Sequence, residues 1–200
     1  MKFLEEGKTE EEIRTYMQKT YFASDEKIDL SIDIAERELE ILKKIDYENG
    51  YSLYIGIPFC PTTCLYCSFT SYPLVSWRQK VDSYLDALEK ELDYVAVKFG
   101  KKHLNSIYIG GGTPTTLEPY QLDRLIRKIR CSFDLSHCLE FTVEAGRPDS
   151  ITREKLETLK KWDITRISIN PQTMKDETLK IIGRRHTVAQ TVESFQLARE

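Results

Sequence analysis

Apolar residues repeat with one period up to about residue 48 and with a mixed pattern after it. In the first stretch, Thr9-Glu10-Glu11-Glu12 has the Thr-x-x-Glu spacing with which side chains satisfy the exposed amides of a helix start, and Ile13, Tyr16 and Met17 then share one face. Ile28, Ile32, Ala35, Leu39 and Leu42 follow at steps of four and three, predicting a second helix whose apolar stripe needs a partner surface. Asn49-Gly50 is a turn signal. Residues 1–48 therefore read as a helical amino-terminal segment, the end of a preceding region, and residues 49–200 as a separate core.

From Tyr51 onward, short β-rich runs alternate with amphipathic helices. Tyr51–Ile57 predicts a strand, with Val81, Tyr84, Leu85, Leu88, Leu92, Val95 and Phe99 marking a long helix after it. Ser106–Ile109 predicts a second strand, and Leu122, Leu125, Ile126 and Ile129 a second helix. Leu139–Val143 and Arg166–Ile169 continue as third and fourth strands, with helices over Thr152–Trp162 and Lys175–Ile182. Repeated βα units imply a parallel sheet with right-handed crossovers. Four such units cannot close a barrel, and the chain stops at Glu200 within a further helical pattern that includes Val188, Val192 and Phe195. The expectation is a fragment with α/β class architecture: a partial TIM-like (β/α) barrel preceded by a short helical segment and lacking at least two carboxyl-terminal βα units.

Composition narrows the classes. At 200 residues and 40% hydrophobic content the chain can bury a core, and its net charge of -3 comes from 29 basic and 32 acidic residues spread along it. No basic stripe suits a phosphate backbone, so no nucleic acid is expected as a main partner. No apolar run has the length of a signal peptide or of a membrane span, and a cytoplasmic protein with reduced thiols is expected.

In parallel α/β barrels, active sites form on the loops at the carboxyl ends of the strands, and every chemical motif in this chain falls at such an end. The first strand is followed by Cys60, Cys64 and Cys67 in a C-x3-C-x2-C run. Three such thiolates suffice to hold a 4Fe-4S cluster by three irons, leaving one iron open. A structural zinc site would need a fourth protein ligand, usually from a second pair, and the sequence offers none nearby. A disulfide framework suits small secreted domains, whereas this chain has five cysteines, an odd count.

The second strand leads into Gly110-Gly-Gly-Thr-Pro114, where glycines let backbone approach a ligand and aim amides at a carboxylate or phosphate. Opposite a cluster, such an edge suits the amino-acid end of S-adenosylmethionine, whose amino and carboxylate groups would occupy the open iron. Glu144 ends the third strand, where its carboxylate suits ribose hydroxyls or an ammonium, or is simply a solvated acid. Arg147 either neutralises a substrate carboxylate or pairs with Glu144. Gln172 and Arg184 add a neutral donor-acceptor and a fixed cation near the fourth unit, although Arg185 beside Arg184 also fits a plain charged helix end. Tyr54 and Tyr66 suit stacking on a ligand or core and rim packing. Cys131 and Cys138 read as packed thiols, and His103, His137 and His186 share no metal-like spacing.

With these motifs in order, the chain resembles the radical S-adenosylmethionine superfamily. Tyr-x-x-Ile-Pro-Phe-Cys before the cluster and Gly-Gly-Gly-Thr-Pro after it resemble the oxygen-independent coproporphyrinogen III oxidase (coproporphyrinogen dehydrogenase) family over residues 51–200. Cys64-Leu-Tyr-Cys67-Ser-Phe-Thr-Ser-Tyr, Glu144-Ala-Gly-Arg-Pro-Asp149 and Ile167-Ser-Ile-Asn-Pro-Gln-Thr-Met174 most resemble its Firmicute-type branch, which carries an extra amino-terminal region.

The resemblance implies that Cys60, Cys64 and Cys67 ligate the cluster and that Tyr54, Gly111 and Glu144 contact S-adenosylmethionine. It further implies that Tyr66, Gly112, Thr113, Gln172 and Arg184 match positions lining a second S-adenosylmethionine. The implied reaction converts propionates of coproporphyrinogen III to vinyl groups in heme biosynthesis, with an electron donor such as flavodoxin or ferredoxin. Gly56 replaces a histidine of the family pattern, and Phe69 stands where authentic oxidases carry a further cysteine. Cys-x-Phe is the wording of related heme chaperones, so a heme-binding function on the same fold is the alternative. For a porphyrinogen with four propionates, Arg147, Arg184 and Arg185 are candidate cations.

Overall fold

Thr9 and Glu12 close a reciprocal cap, with Glu12 Oε2 accepting from Thr9 N at 2.8 Å and Thr9 Oγ1 from Glu12 N at 3.3 Å. This cap starts helix α2, Glu10–Tyr21, which lies between the short α1, Lys2–Glu5, and the long α3, Asp25–Leu42. The computed structural model describes residues 1–69 and 71–200, so Thr70 lies outside the described residues. It divides into two compact units, residues 1–50 and 51–200. In the first, Ile13 of α2 packs on Ile28 and Ile32 of α3, joined by Phe3, Leu4, Met17 and Ala23. The apolar stripe of α3 thus finds its partner surface for Ile28, Ile32 and Ala35, while Leu39 and Leu42 stay half-buried.

The second unit is built on a four-stranded sheet in the order β1, Gly50–Ile57; β4, His103–Gly111; β5, Glu140–Glu144; β6, Arg166–Ser168. β4 pairs in parallel with β5, Tyr108 opposite Thr142, and β5 in parallel with β6, Glu144 opposite Ser168. Helices α5, Val81–Phe99, α6, Pro119–Ser132, and α7, Arg153–Lys161, cover one face. Alternate strand residues Ile55, Ile57, Ile107, Ile109 and Val143 meet Leu85, Leu88, Leu122, Leu125, Ile126 and Leu159 there. Burying each such side chain contributes about 1.5–3 kcal/mol, which makes this face the main stabilising element of the unit. Helices α8, Asp176–Ile181, and α9, Val188–Arg199, complete the series of βα units, an α/β arrangement that is a partial, open barrel. No helix among the described residues is long and apolar enough to cross a membrane.

Two local expectations need correction, for Cys60 and Cys131, while Cys138 packs as expected. Cys60 does not lie on a loop: it ends a two-residue strand β2, Phe59–Cys60, paired in parallel with β3, Tyr72–Pro73, ahead of a single-turn helix α4, Leu74–Trp77. Pairs this short leave no periodic signal, because period-2 alternation needs at least four residues to register. Cys131 is an exposed thiol, not a packed one, since its position near the end of α6 faces away from the stripe that meets the sheet. Cys138 is half-buried against the core and donates to the Glu140 carbonyl at 3.4 Å.

Candidate functional site

The ends of the sheet strands converge on one cavity of about 180 Å³. Cys60, Cys64, Tyr66, Cys67 and Phe69 line it from the segment after β1; Gly111, Gly112 and Thr113 from the end of β4; Glu144, Gly146 and Arg147 from the end of β5; and Asn170, Gln172 and Arg184 from the segments after β6. Tyr54 does not reach it. Its ring lies in an adjoining hollow with Gly56, Pro58, Phe69, Gly111 and Gly112, so Phe69 and the two glycines border both spaces.

The Gly-rich turn is held against the strand that leads to Cys60. Gly112 N donates to Ile57 O at 2.8 Å and Thr113 N to Phe59 O at 2.8 Å. These amides are spent on the β1–β2 backbone and do not point into open space, a correction to their expected role as ligand donors. Glycine is required for a different reason. Gly111 has φ +101° and a Cβ there would stand 3.0 Å from Ile57 N and O. At Gly112 a Cβ would stand 2.6 Å from Phe59 O and 3.0 Å from Cys60 Sγ, filling the space beside the thiol.

Cys60 Sγ is 3.5 Å from Thr113 Oγ1. Burial pushes the Cys60 thiol up, opposed by the Thr113 hydrogen bond and the Arg147 charge, while Cys64 and Cys67 add to the upward push. Glu144 Oε1 accepts from the Tyr108 hydroxyl at 2.5 Å, and the Tyr54 ring stacks on Tyr108 with centroids 5.8 Å apart. The Glu144 hydrogen bond, followed by burial and the Glu144 charge, pushes Tyr108 up to about 12.

Arg147 pairs with neither Glu144 nor open solvent. It is 3% exposed and forms a fork with Asp149 at 3.0 and 3.1 Å, while donating to Thr62 O at 3.3 Å, Thr62 Oγ1 at 3.1 Å and Cys64 Sγ at 3.7 Å. Arg184 Nη2 donates to the Tyr66 hydroxyl at 2.9 Å and Nη1 to Gly146 O at 3.1 Å, which sets its guanidinium on the cavity wall and not at a solvated helix end. Arg185 is exposed and outside the cavity. Gln172 reaches the rim from a left-handed backbone position, φ 62°. The cysteine loop is also tied to the Arg184 segment, through Leu65 N to Ile182 O at 3.1 Å and Thr62 Oγ1 to Gly183 O at 3.3 Å.

Sequence reasoning missed Tyr108, Asp149 and Thr62. Tyr108 was recoverable from parity, since Ile107 and Ile109 face the helices and Tyr108 must face the other way. His186 is buried beneath this network, Nδ1 4.0 Å from Asp149 Oδ1, and His103 and His137 stack on each other with centroids 4.1 Å apart. No three His, Cys, Asp or Glu side chains among the described residues are gathered around a single-ion position. In a zinc site, sulfurs about 2.3 Å from one ion crowd together. Thiolates that each bind a different iron of a cluster stand further apart around a larger space. Three cysteines on one cavity wall, with Gly112 leaving room beside Cys60, fit the second arrangement.

A parallel βα sheet with this cavity at its strand ends defines the class: the chain belongs to the radical SAM superfamily, which it matches over residues 54–200. Membership implies a 4Fe-4S cluster and S-adenosylmethionine. The chain is similar, at 43% identity over its whole length, to the oxygen-independent coproporphyrinogen-III oxidase-like protein HemZ of Bacillus subtilis (strain 168), of which it covers 40%. It is 45% identical to the heme chaperone HemW of the same organism over 74% of this chain and 39% of that one. Among solved structures, coproporphyrinogen III oxidase (HemN) from Escherichia coli, a radical SAM enzyme, aligns with TM-score 0.68 and 30% identity over 76% of this chain and 34% of that one. The chain thus spans about two fifths of the length of these curated relatives.

Proposed function

We propose that Cys60, Cys64 and Cys67 ligate the 4Fe-4S cluster, that Tyr54, Gly111 and Glu144 contact S-adenosylmethionine bound to it, and that Tyr66, Gly112, Thr113, Gln172 and Arg184 line a second such molecule. The observation that carries this reading is the single cavity shared by the three cysteines, Glu144 and the Gly111–Thr113 turn. When bound, the cluster and S-adenosylmethionine supply one-electron reductive cleavage and, from it, hydrogen-atom abstraction from unreactive carbon. Around that chemistry, Glu144 offers a carboxylate oriented by Tyr108 for hydroxyl or ammonium groups. Phe69 covers one side of the cavity with apolar surface, and the Gly111–Gly112 backbone closes another without side chains.

The reaction we infer is the oxygen-independent oxidative decarboxylation of coproporphyrinogen III propionates to vinyl groups, giving protoporphyrinogen IX, in a cytoplasmic setting. Each propionate would lose carbon dioxide, one hydrogen atom and one further electron, which requires an acceptor as well as an electron donor such as flavodoxin or ferredoxin. Arg184 supports a carboxylate-bearing substrate, because its guanidinium faces the cavity without a carboxylate partner among the described residues. Arg147 does not serve this purpose, because its donors are already engaged by Asp149, Thr62 and Cys64. In this reading residues 49–200 carry the chemistry, and residues 1–48 form a separate helical segment.

A second reading, a heme chaperone without decarboxylase activity, is favoured by Phe69, which is 67% exposed on the border of both hollows and offers an aromatic face to a macrocycle. One anaerobic experiment separates the two. The protein is reconstituted with iron and sulfide, given reductant, S-adenosylmethionine and coproporphyrinogen III, and assayed for deoxyadenosine and protoporphyrinogen. Formation of both supports the oxidase. S-adenosylmethionine cleavage without decarboxylation, joined to stoichiometric heme binding, supports the chaperone and sinks the oxidase. Cys64→Ala retaining full iron and sulfide would remove the ligand assignment itself.

A further inference from the structure

We propose that Arg147 is a positioning residue for the cluster, fixing the Cys60–Cys67 segment through Thr62 and holding positive charge beside the Cys64 sulfur so that the bound cluster is easier to reduce. The inference rests on the reading of Cys64 as an iron ligand. A guanidinium has five N–H donors in a rigid plane. In Arg147 each has an acceptor. Nε and one Nη2 proton go to Asp149 at 3.1 and 3.0 Å, the other Nη2 proton to Thr62 Oγ1 at 3.1 Å, and Nη1 donates to Thr62 O at 3.3 Å and Cys64 Sγ at 3.7 Å.

The orientation gives the charge a direction. Asp149 occupies the Nε–Nη2 edge, so the side of the guanidinium turned toward the sulfur is the one without a carboxylate. The side chain is buried, where charge interactions are screened far less than in water. Reduction adds negative charge to a cluster and its thiolates, and a cation with an N–H aimed at a ligating sulfur stabilises that added charge more than it stabilises the oxidised form. Hydrogen bonds to cluster sulfurs and nearby charge are established levers on cluster potential, and Arg147 supplies both at once. The position also has a visible constraint: Asp149, two residues on, holds the fork but partly offsets its field, so removing either partner has an opposite electrostatic effect.

The loop does not depend on Arg147 alone. Leu65 N to Ile182 O and Thr62 Oγ1 to Gly183 O tie it down from the other side, which makes a charge-removing variant feasible. The test is a potentiometric titration of the reconstituted protein, followed by electron paramagnetic resonance in the absence of S-adenosylmethionine, after iron and sulfide per chain have been measured. Expected are a more negative midpoint in Arg147→Gln, a midpoint restored toward the wild type in Arg147→Lys, and a less negative midpoint in Asp149→Asn. A purely structural role would move Arg147→Gln and Asp149→Asn in the same direction or not at all, and either result overturns the proposal. Should Arg147→Gln fail to load iron, Asp149→Asn decides alone: an upward shift supports the proposal and an unmoved or lower midpoint ends it. Failure of the underlying ligand reading is recognised separately, by full iron and sulfide in Cys64→Ala.

Discussion

The Tyr108 hydroxyl donates to Glu144 Oε1 at 2.5 Å across the β4–β5 pair, which fixes one carboxylate oxygen of a residue that lines the cavity. A hydrogen bond to a charged group is worth about 1.5–3 kcal/mol. Tyr108→Phe keeps the ring that stacks on Tyr54 and removes only this bond. S-adenosylmethionine should then bind about tenfold more weakly to the cluster-loaded protein, measured by anaerobic calorimetry, with iron content unchanged. An affinity equal to the wild type would mean that Glu144 does not need this orientation, or does not contact the cofactor.

Gly112→Ala sets a Cβ 2.6 Å from Phe59 O, 3.0 Å from Ile57 O and 3.0 Å from Cys60 Sγ. Two of these neighbours are backbone, so the strand itself would have to shift. Overpacking of this kind costs about 1–3 kcal/mol, and here the shift also moves a thiol. The expected outcome is a lowered urea midpoint together with reduced iron per chain. Normal stability and normal iron would mean that the turn is more yielding than its contacts indicate.

Lys155 of α7 is buried and its ammonium donates to Thr115 O at 2.7 Å and Ser150 O at 3.1 Å, joining the turn after the Gly-rich segment to the turn after Glu144. The Thr115 and Ser150 hydroxyls meet beside it at 2.6 Å. Lys155→Met keeps the apolar stem and withdraws the donor from both buried carbonyls. Destabilisation of about 1–3 kcal/mol should follow in urea denaturation, since an unsatisfied buried polar group costs about that much.

His186 supplies a pH dependence with a defined sign. Its side chain is fully buried and neither ring nitrogen has a hydrogen-bond partner among the described residues. Burial lowers its pKa, opposed by the Asp149 charge. With the folded pKa below the ordinary value of about 6.5, the unfolded chain takes up the proton first as pH falls. Stability from this group is therefore present above about pH 6.5 and declines below it. Urea midpoints measured from neutral to mildly acidic pH should fall more steeply in the wild type than in His186→Phe. Parallel curves would show that His186 titrates normally in the fold.

Much of the scaffold was readable because it depends on local periodicity. The Thr9–Glu12 cap, the α3 stripe and the alternation of strands with α5, α6 and α7 all follow from residues within a few positions of each other. Cys60, Cys64 and Cys67 were visible as a spaced run, and the expectation that strand ends bring them beside the Gly-rich turn, Glu144 and the Asn170–Gln172 segment is met by one shared cavity, which Arg184 also lines. The roles within it were less readable. Arg147 has its carboxylate partner two residues away, yet the contacts that define it, to Thr62 and Cys64, cross 85 and 83 positions of sequence. Tyr54, grouped with the cofactor contacts by resemblance, sits in the neighbouring hollow, because β1 presents it on the far side of Phe69 and the glycines.

By itself, the sequence determined the βα rhythm, the three-thiol run and the need for glycine near a turn, since each is a property of spacing or of a missing side chain. Only the tertiary structure decided which amides are spent on the β1–β2 backbone, which cavity-lining arginine is paired with a carboxylate and which is not, and that Tyr108 orients Glu144. The reason is physical: helix and strand periods arise from neighbours along the chain, whereas the charge state and direction of a buried polar group depend on partners that only a completed sheet brings within 3 to 4 Å.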